Sequence, residues 1–126
     1  MGLVTTINSP NIILLDYLAV CEMSRGMGIG SAVLELLKDI YSGKGIFVEI
    51  ESTTRPCADL QIRLRRKHFY CRCGMEPMGV AVKLFGVDME LLGYGCCLDF
   101  AGYKSFYRES YSPWAAEHIQ EISDEK

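Results

Sequence analysis

Apolar and polar positions change period along this chain, and the changes separate strands from helices. Two apolar runs at residues 3–7 and 12–20 flank the turn cluster NSPN at residues 8–11, which predicts a β-hairpin. From residue 29 to residue 40, apolar side chains recur at helical spacing and charged residues take the other side, as in an amphipathic helix. Residues 46–51 alternate again and predict a strand.

The order strand, helix, strand determines how these elements pair. A strand that returns through a helix to the same sheet lies parallel to the strand before it, with a right-handed crossover. We therefore expect residues 12–20 and 46–51 to form the parallel pair of a mixed α/β sheet. Within the second strand, Phe47, Glu49 and Glu51 are expected to share one face, and the residues between them the other.

The rest of the chain is expected to complete the same sheet. Residues 58–73 predict a more polar helix, and residues 80–85 and 87–92 predict two further strands. Aromatic residues at helical spacing predict a third helix over residues 100–111, which Pro113 closes.

Composition limits the chain to one core and excludes several classes of protein. With 126 residues, 49% of them hydrophobic, we expect a single domain over residues 1–126. The formal charge of −3 gives no overall basic field, and the basic residues of the second predicted helix surround it, so we expect no nucleic-acid partner. Since no apolar run reaches the roughly 18 residues of a membrane span and no secretory signal is present, we expect no membrane partner and a cytoplasmic location.

The six cysteines lack the spacing of a metal site. Cys71 and Cys73 are separated by one residue, and Cys96 and Cys97 are adjacent, whereas zinc sites commonly place two residues between paired thiols. We therefore expect reduced, mostly buried thiols and no bound metal.

Three glycines lie at alternate positions in the stretch RGMGIG, residues 25–30, where the second predicted strand gives way to the first helix. A glycine-rich turn at a helix N-terminus exposes backbone N–H groups that have no intrahelical partner, beside the positive end of the helix dipole. The turn therefore predicts an anion site. Its spacing fits neither the dinucleotide fingerprint GxGxxG nor the P-loop. Residues 25–30 follow the pattern Arg-x-x-Gly-x-Gly instead.

The stretch LLDYLAVCEMSRGMGIGSAVLELL, residues 14–37, resembles the acetyl-CoA signature of the GNAT family of N-acetyltransferases. The segments FVEIES and RRKHFYCRCGM resemble the next strand and helix of that family, although Cys73 and Met75 replace the residues usual around the glycine. The resemblance covers residues 2–92. It implies an α/β (α+β) fold in which a mixed sheet has splayed central parallel strands and flanking helices.

The resemblance also implies acetyl-CoA as the cosubstrate. Backbone amides of the glycine-rich turn would receive its pyrophosphate, and the end of the preceding strand would pair with its pantetheine arm. A backbone N–H near the end of that strand would polarise the thioester carbonyl. The residues implied are Arg25, Gly26, Met27, Gly28, Ile29, Gly30 and Ser31 in the turn, and Leu18, Ala19 and Val20 in the strand.

Two residues match catalytic positions of that family. Glu49 matches a strand position from which a carboxylate often takes the proton of the acceptor amine. Tyr70 matches a tyrosine that often protonates the sulfur of the departing coenzyme. A structural role stays open for each, since Glu49 could be a solvated carboxylate on a sheet face and Tyr70 a core aromatic residue.

The function implied is acetyl transfer to a primary amine of a small molecule or peptide. The family's usual first strand, two helices and second strand have no counterpart ahead of the hairpin, so a partner subunit or the C-terminal segment would have to supply the acceptor wall. The first strand is then a sheet edge, which predicts a homodimer through that edge. The alternative is a truncated, non-catalytic coenzyme A-binding module that acts within an oligomer or complex.

Overall fold

Residues 2–20, 28–54 and 57–122 are described by a computed structural model, and within these ranges six strands form one mixed sheet. The order across the sheet is β1-β2-β3-β5-β4-β6. The strands are β1 (Gly2–Asn8), β2 (Ile12–Val20), β3 (Gly45–Glu51), β4 (Glu76–Leu84), β5 (Val87–Tyr94) and β6 (Ile119–Glu121).

Helices cover both faces of this sheet. The α-helices are α1 (Ile29–Ile40), α2 (Leu60–Arg72), α3 (Phe100–Phe106) and α4 (Pro113–Ala116). A π-helical segment, Tyr107–Tyr111, directly continues α3.

The pairing of β2 with β3 is parallel and short. It runs from Ile12 opposite Gly45 to Leu14 opposite Phe47, although β2 continues to Val20 and β3 to Glu51. Every other pairing in the sheet is antiparallel: β1 follows β2 over its whole length, and β5 follows β3 as far as Glu51. The two central strands therefore separate in the middle of the sheet.

Side chains of β3 point alternately into two hydrophobic cores, one on each face of the sheet. Val48 and Ile50 lie in the core that contains residues of α1 and α2. Phe47 lies in the other core, which contains residues of α3, the π-helical segment and α4. Its ring meets Phe106 edge to face with centroids 5.2 Å apart, so the C-terminal helices pack directly on β3.

A lysine joins the two helices on the first face. The Lys38 ammonium donates a hydrogen bond of 2.6 Å to the carbonyl oxygen of Cys73, just after α2, and lies 4.4 Å from the centre of the Tyr94 ring. Because a buried carbonyl at a helix end needs a donor, this contact fixes the C-terminus of α2 against α1 and β5.

The predicted hairpin, first helix and parallel pair are confirmed. The fourth strand begins earlier than expected, at Glu76, and contains Pro77. A register shift lies between Pro77 and Ala81, and Gly79 has a φ of +76° there. Proline and a bulge hide a strand from period-two patterns, since proline cannot donate to the ladder and the bulge reverses the alternation.

The C-terminal region is helical over residues 100–111 and ends just before Pro113 as predicted, but its second half is π-helical. Pro113 also begins α4, where its missing N–H is not needed. The hydroxyl of Ser112 caps this helix by accepting the N–H of Ala115 at 3.2 Å. The strand β6 that follows has only three residues, too few for a recognisable period.

Candidate active site

The gap between β2 and β3 is the centre of the candidate site. Beyond Leu14 and Phe47 both strands continue, but they no longer pair with each other. On their outer sides, β2 pairs with β1 and β3 pairs with β5. Leu18 pairs with Val4 of β1, and Ala19 and Val20 continue that ladder, so all three lie in the part of β2 that borders the gap. Backbone groups on this inner side are suited to a ligand that pairs as a strand does.

The N-terminus of α1 follows the end of β2 in the chain. Gly28 is the residue before the helix and has a φ of +76°, a left-handed conformation that glycine adopts at little cost. The first helical hydrogen bond runs from the N–H of Ala32 to the carbonyl of Gly28 at 3.0 Å. The amides of Ile29, Gly30 and Ser31 thus precede the helical ladder and are available to an anion, whereas Arg25, Gly26 and Met27 lie outside the described residues.

Glu49 lies on the face of β3 that the C-terminal helices cover. The hydroxyls of Tyr103 and Tyr107 both donate to its Oε2 atom, with a distance of 2.5 Å from Tyr107. Burial raises the pKa of the Glu49 carboxyl above its ordinary value, and the two hydroxyls act in the opposite direction. The solvated-carboxylate alternative for Glu49 is therefore wrong, because this group is partly buried and hydrogen-bonded to side chains.

The two tyrosines are held by aromatic packing. Tyr103 meets Phe47 edge to face with ring centroids 6.1 Å apart. Tyr107 stacks on Tyr111 at 4.8 Å and an angle of 13°, and Tyr111 is 46% exposed. Burial, and then the negative charge of Glu49, raise the pKa of the Tyr103 and Tyr107 hydroxyls far above the ordinary value, so both stay protonated and can donate.

Asp16 lies across the gap from Glu49. Asp16 lies at the register shift between β1 and β2, and its charge acts on both Glu49 and Tyr111, so it lies on the face that the C-terminal helices cover. The negative charge of Asp16 adds to the effect of burial in raising the pKa of Glu49. A cationic group would be favoured between the two carboxylates.

Tyr70 lies on the opposite face of β3 from Glu49. It belongs to the core formed with α1 and α2, is 8% exposed, and packs near Val48 and Ile50. Burial raises the pKa of its hydroxyl, and the nearby charge of Arg66 partly offsets this. The structure does not bring the Tyr70 and Glu49 side chains into one cluster.

Glu51 does not share the environment of Glu49, contrary to expectation. Its carboxylate turns toward α2, where it pairs with Arg63 at 3.6 Å and with Arg66 at 3.3 Å. Lys67, one turn further along α2, pairs with Glu90 of β5 at 2.9 Å. Glu51 is the last residue of β3, and its long side chain reaches the cations of α2 from there.

The described part of the chain has no candidate metal site and no disulfide. Across residues 2–20, 28–54 and 57–122, no group of three or more His, Cys, Asp or Glu residues could hold a metal ion. The expectation of mostly buried thiols is wrong. Of the five cysteines described, all free, one is buried, two are half-buried and two are exposed: Cys73, then Cys57 and Cys96, then Cys71 and Cys97.

Sequence reasoning missed the partners of Glu49. Tyr103 and Tyr107 were recognised only as part of an aromatic helix. Their spacing of four residues places them on one side of a helix, which was the available signal, but which strand residue they would meet depends on the tertiary packing.

Solved structures similar to this one are acetyltransferases. One, assigned to the GNAT family, is from Bacteroides thetaiotaomicron; it has a TM-score of 0.68 and 21% identity, over 86% of this chain and 62% of that one. Nourseothricin acetyltransferase has a TM-score of 0.59 and 17% identity, over 74% of this chain and 56% of that one. An acetyltransferase from Bacillus subtilis, solved in complex with CoA, has a TM-score of 0.54 and 16% identity, over 74% of this chain and 67% of that one.

These likenesses show that the chain has the GNAT fold, as the sequence resemblance implied. The chain spans 62% and 56% of the length of the first two. No family model and no curated protein matches it. Within the described ranges, no helix combines the length and apolar character of a membrane span.

The ionisation of Glu49 makes a prediction for stability. Because its pKa is raised in the folded chain, this group stabilises the fold fully below the ordinary pKa of about 4.3, and the contribution is lost as pH rises through the folded value. Glu49→Gln stays neutral, so its free energy of unfolding relative to the unmutated chain should increase as pH rises above about 4.3, by about 1.4 kcal/mol for each unit of pKa elevation.

Urea denaturation at several pH values measures this difference. Glu117→Gln, which removes an exposed carboxylate after α4, is the matched control. Two parallel pH curves for Glu49→Gln and the unmutated chain would contradict the buried-carboxylate account.

Proposed function

We propose that the protein transfers an acetyl group from acetyl-CoA to a primary amine. The observation that carries this proposal is the gap in the sheet between β2 and β3, with an available helix N-terminus after β2 and a partly buried carboxylate on β3. The neighbour solved in complex with CoA supports the choice of cosubstrate. The pyrophosphate would meet the amides of residues 25–31, and the pantetheine arm would lie along Leu18, Ala19 and Val20.

The chemistry assigned to Glu49 is general base catalysis. An amine with a pKa near 10 is protonated at neutral pH, so its proton must leave before the nitrogen attacks the thioester carbon. Burial raises the pKa of the Glu49 carboxyl and so brings it closer to the pKa of the amine, which makes the proton transfer easier. The N–C bond forms, the C–S bond breaks, and Glu49 returns the proton to solvent.

The chemistry assigned to Tyr70 is general acid catalysis. The departing coenzyme thiolate takes a proton from the Tyr70 hydroxyl, which recovers one from solvent. Tyr70 and Glu49 lie on opposite faces of β3. A thioester that passes through the gap between the strands would expose its sulfur and its carbonyl carbon toward different faces, which suits this division of roles.

The acceptor wall is assigned to the C-terminal segment. Residues 99–118 cover the face that carries Glu49, with Tyr103 and Tyr107 in contact with its carboxylate. We assign the acceptor to the class of small-molecule or peptide amines, which approach from this face beside Asp16 and the exposed ring of Tyr111.

The anion site at α1 is tested by adding a charge there. Ser31→Glu places a carboxylate on an exposed residue of the first helical turn, where it is compatible with the helix dipole but repels a pyrophosphate. We expect its affinity for CoA to fall at least tenfold, about 1.4 kcal/mol, in titration calorimetry. Ile40→Glu adds the same charge at a 59% exposed position at the other end of α1 and should bind CoA as the unmutated chain does. Equal affinities for all three proteins would exclude this site.

The acid role of Tyr70 separates an enzyme from a coenzyme-binding module. Tyr70→Phe keeps the packing of the ring and removes only the proton, so kcat should fall by about 10² to 10⁴, with unchanged CoA affinity and unfolding midpoint. Steady-state kinetics with an amine panel measure this. Full activity of the variant would mean that another residue or water is the general acid. CoA binding by the unmutated chain without acetyl transfer to any amine would favour the coenzyme-binding module.

A homodimer through β1 is the assembly we propose. In the described part of the chain β1 is an edge of the sheet, and it pairs with β2 on one side only. Neighbouring strand residues direct their N–H groups to opposite sides, so one of Leu3→Pro and Val4→Pro removes an outward donor and the other an inward one. Sedimentation should show a dimer at about 100 µM for the unmutated chain and a folded monomer for one variant. A monomeric unmutated chain at that concentration would contradict the proposal.

A further inference from the structure

We infer that Tyr103 and Tyr107 are positioning residues for Glu49: they hold its Oε2 atom and leave Oε1 as the oxygen that takes the amine proton. This inference rests on the proposed function. It assigns a role in the reaction to two residues of the C-terminal segment that no sequence signature marks.

The hydrogen bonds divide the two carboxylate oxygens. Both hydroxyls donate to Oε2, with a distance of 2.5 Å from the Tyr107 hydroxyl. Among the described residues, no hydrogen bond is made to Oε1. One oxygen is thus saturated with short, charge-assisted bonds, and the other keeps its lone pairs for an incoming proton.

The tyrosines are rigid enough to aim the carboxylate. Tyr103 is completely buried and Tyr107 is 2% exposed. The helix widens into its π-helical turn at Tyr107, and the N–H of Ser112 bonds back to the Tyr107 carbonyl at 2.7 Å. Side chains four residues apart on this helix converge on one oxygen, and π-helical turns are frequent at functional sites.

The hydroxyls also determine when Glu49 is ionised. Burial favours the protonated carboxyl, and two donors at Oε2 favour the carboxylate. The neighbour of Glu49 on β5 is the apolar Leu91. The titratable groups that face it come from β2, α3 and the π-helical segment, and these are Asp16, Tyr103, Tyr107 and Tyr111. Since burial and Asp16 both oppose ionisation, the two tyrosine hydroxyls are the groups that favour the carboxylate form of Glu49.

Removing one hydroxyl should therefore move the pH dependence of the reaction. In Tyr103→Phe and in Tyr107→Phe, we expect the acid limb of the kcat/KM profile to move up by about one pH unit, so that activity on that limb falls about tenfold at a given pH and recovers in alkali. Tyr94→Phe is the matched control, because the Tyr94 ring lies under Lys38 of α1, on the opposite face of the sheet from Glu49, and the variant should keep the original profile. A pH-independent loss in both variants would indicate a merely structural role and overturn the inference.

A second readout requires no acceptor. The ¹³C chemical shift of the Glu49 carboxyl reports its titration directly in the folded chain. The midpoint of this titration should move to higher pH in each of the two variants and should not move in Tyr94→Phe. An unchanged Glu49 titration in both variants would overturn the inference alone. A shifted titration together with no acetyl transfer by the unmutated chain would instead overturn the proposed function, and with it the catalytic part of the inference.

Discussion

The interruption of pairing between β2 and β3 is the constraint on which the rest of the structure depends. Two strands in the middle of a sheet stop pairing after Leu14 and Phe47, yet both stay extended because β1 and β5 hold their outer sides. Unpaired backbone groups away from water cost free energy, so a gap of this kind is stable only when it is wet or filled by a ligand with its own donors and acceptors. The pantetheine arm of a coenzyme has amide groups that suit such a place.

The second determinant is a carboxylate inside an aromatic core. Glu49 would destabilise the face that it shares with Phe47 if it had no donors, since partly buried charges need partners. The C-terminal segment supplies them through Tyr103 and Tyr107, so the packing of that segment and the ionisation of Glu49 are coupled. Because burial raises the pKa of the Glu49 carboxyl, its ionisation at higher pH costs stability.

The sequence predicted well where one local pattern decided the outcome. The hairpin, α1 and the parallel pair follow from long periodic runs, and the GNAT resemblance rests on contiguous residues around the glycine-rich turn. Prediction failed where tertiary contacts decide. The helix α4 that begins at Pro113 was not predicted, Glu51 turns toward arginines of α2, and the partners of Glu49 come from more than fifty positions away. Propensity contains no information on such pairs.

The central claim is that the coenzyme fills the gap between β2 and β3, and hydrogen–deuterium exchange tests it most directly. Amides that face the gap exchange with solvent when it is wet and are protected when a ligand pairs with them. With saturating CoA, exchange should slow in residues 15–20 of β2 and in the first turn of α1, and should stay unchanged in β4 and β6. Binding of CoA that leaves residues 15–20 unprotected would contradict this account.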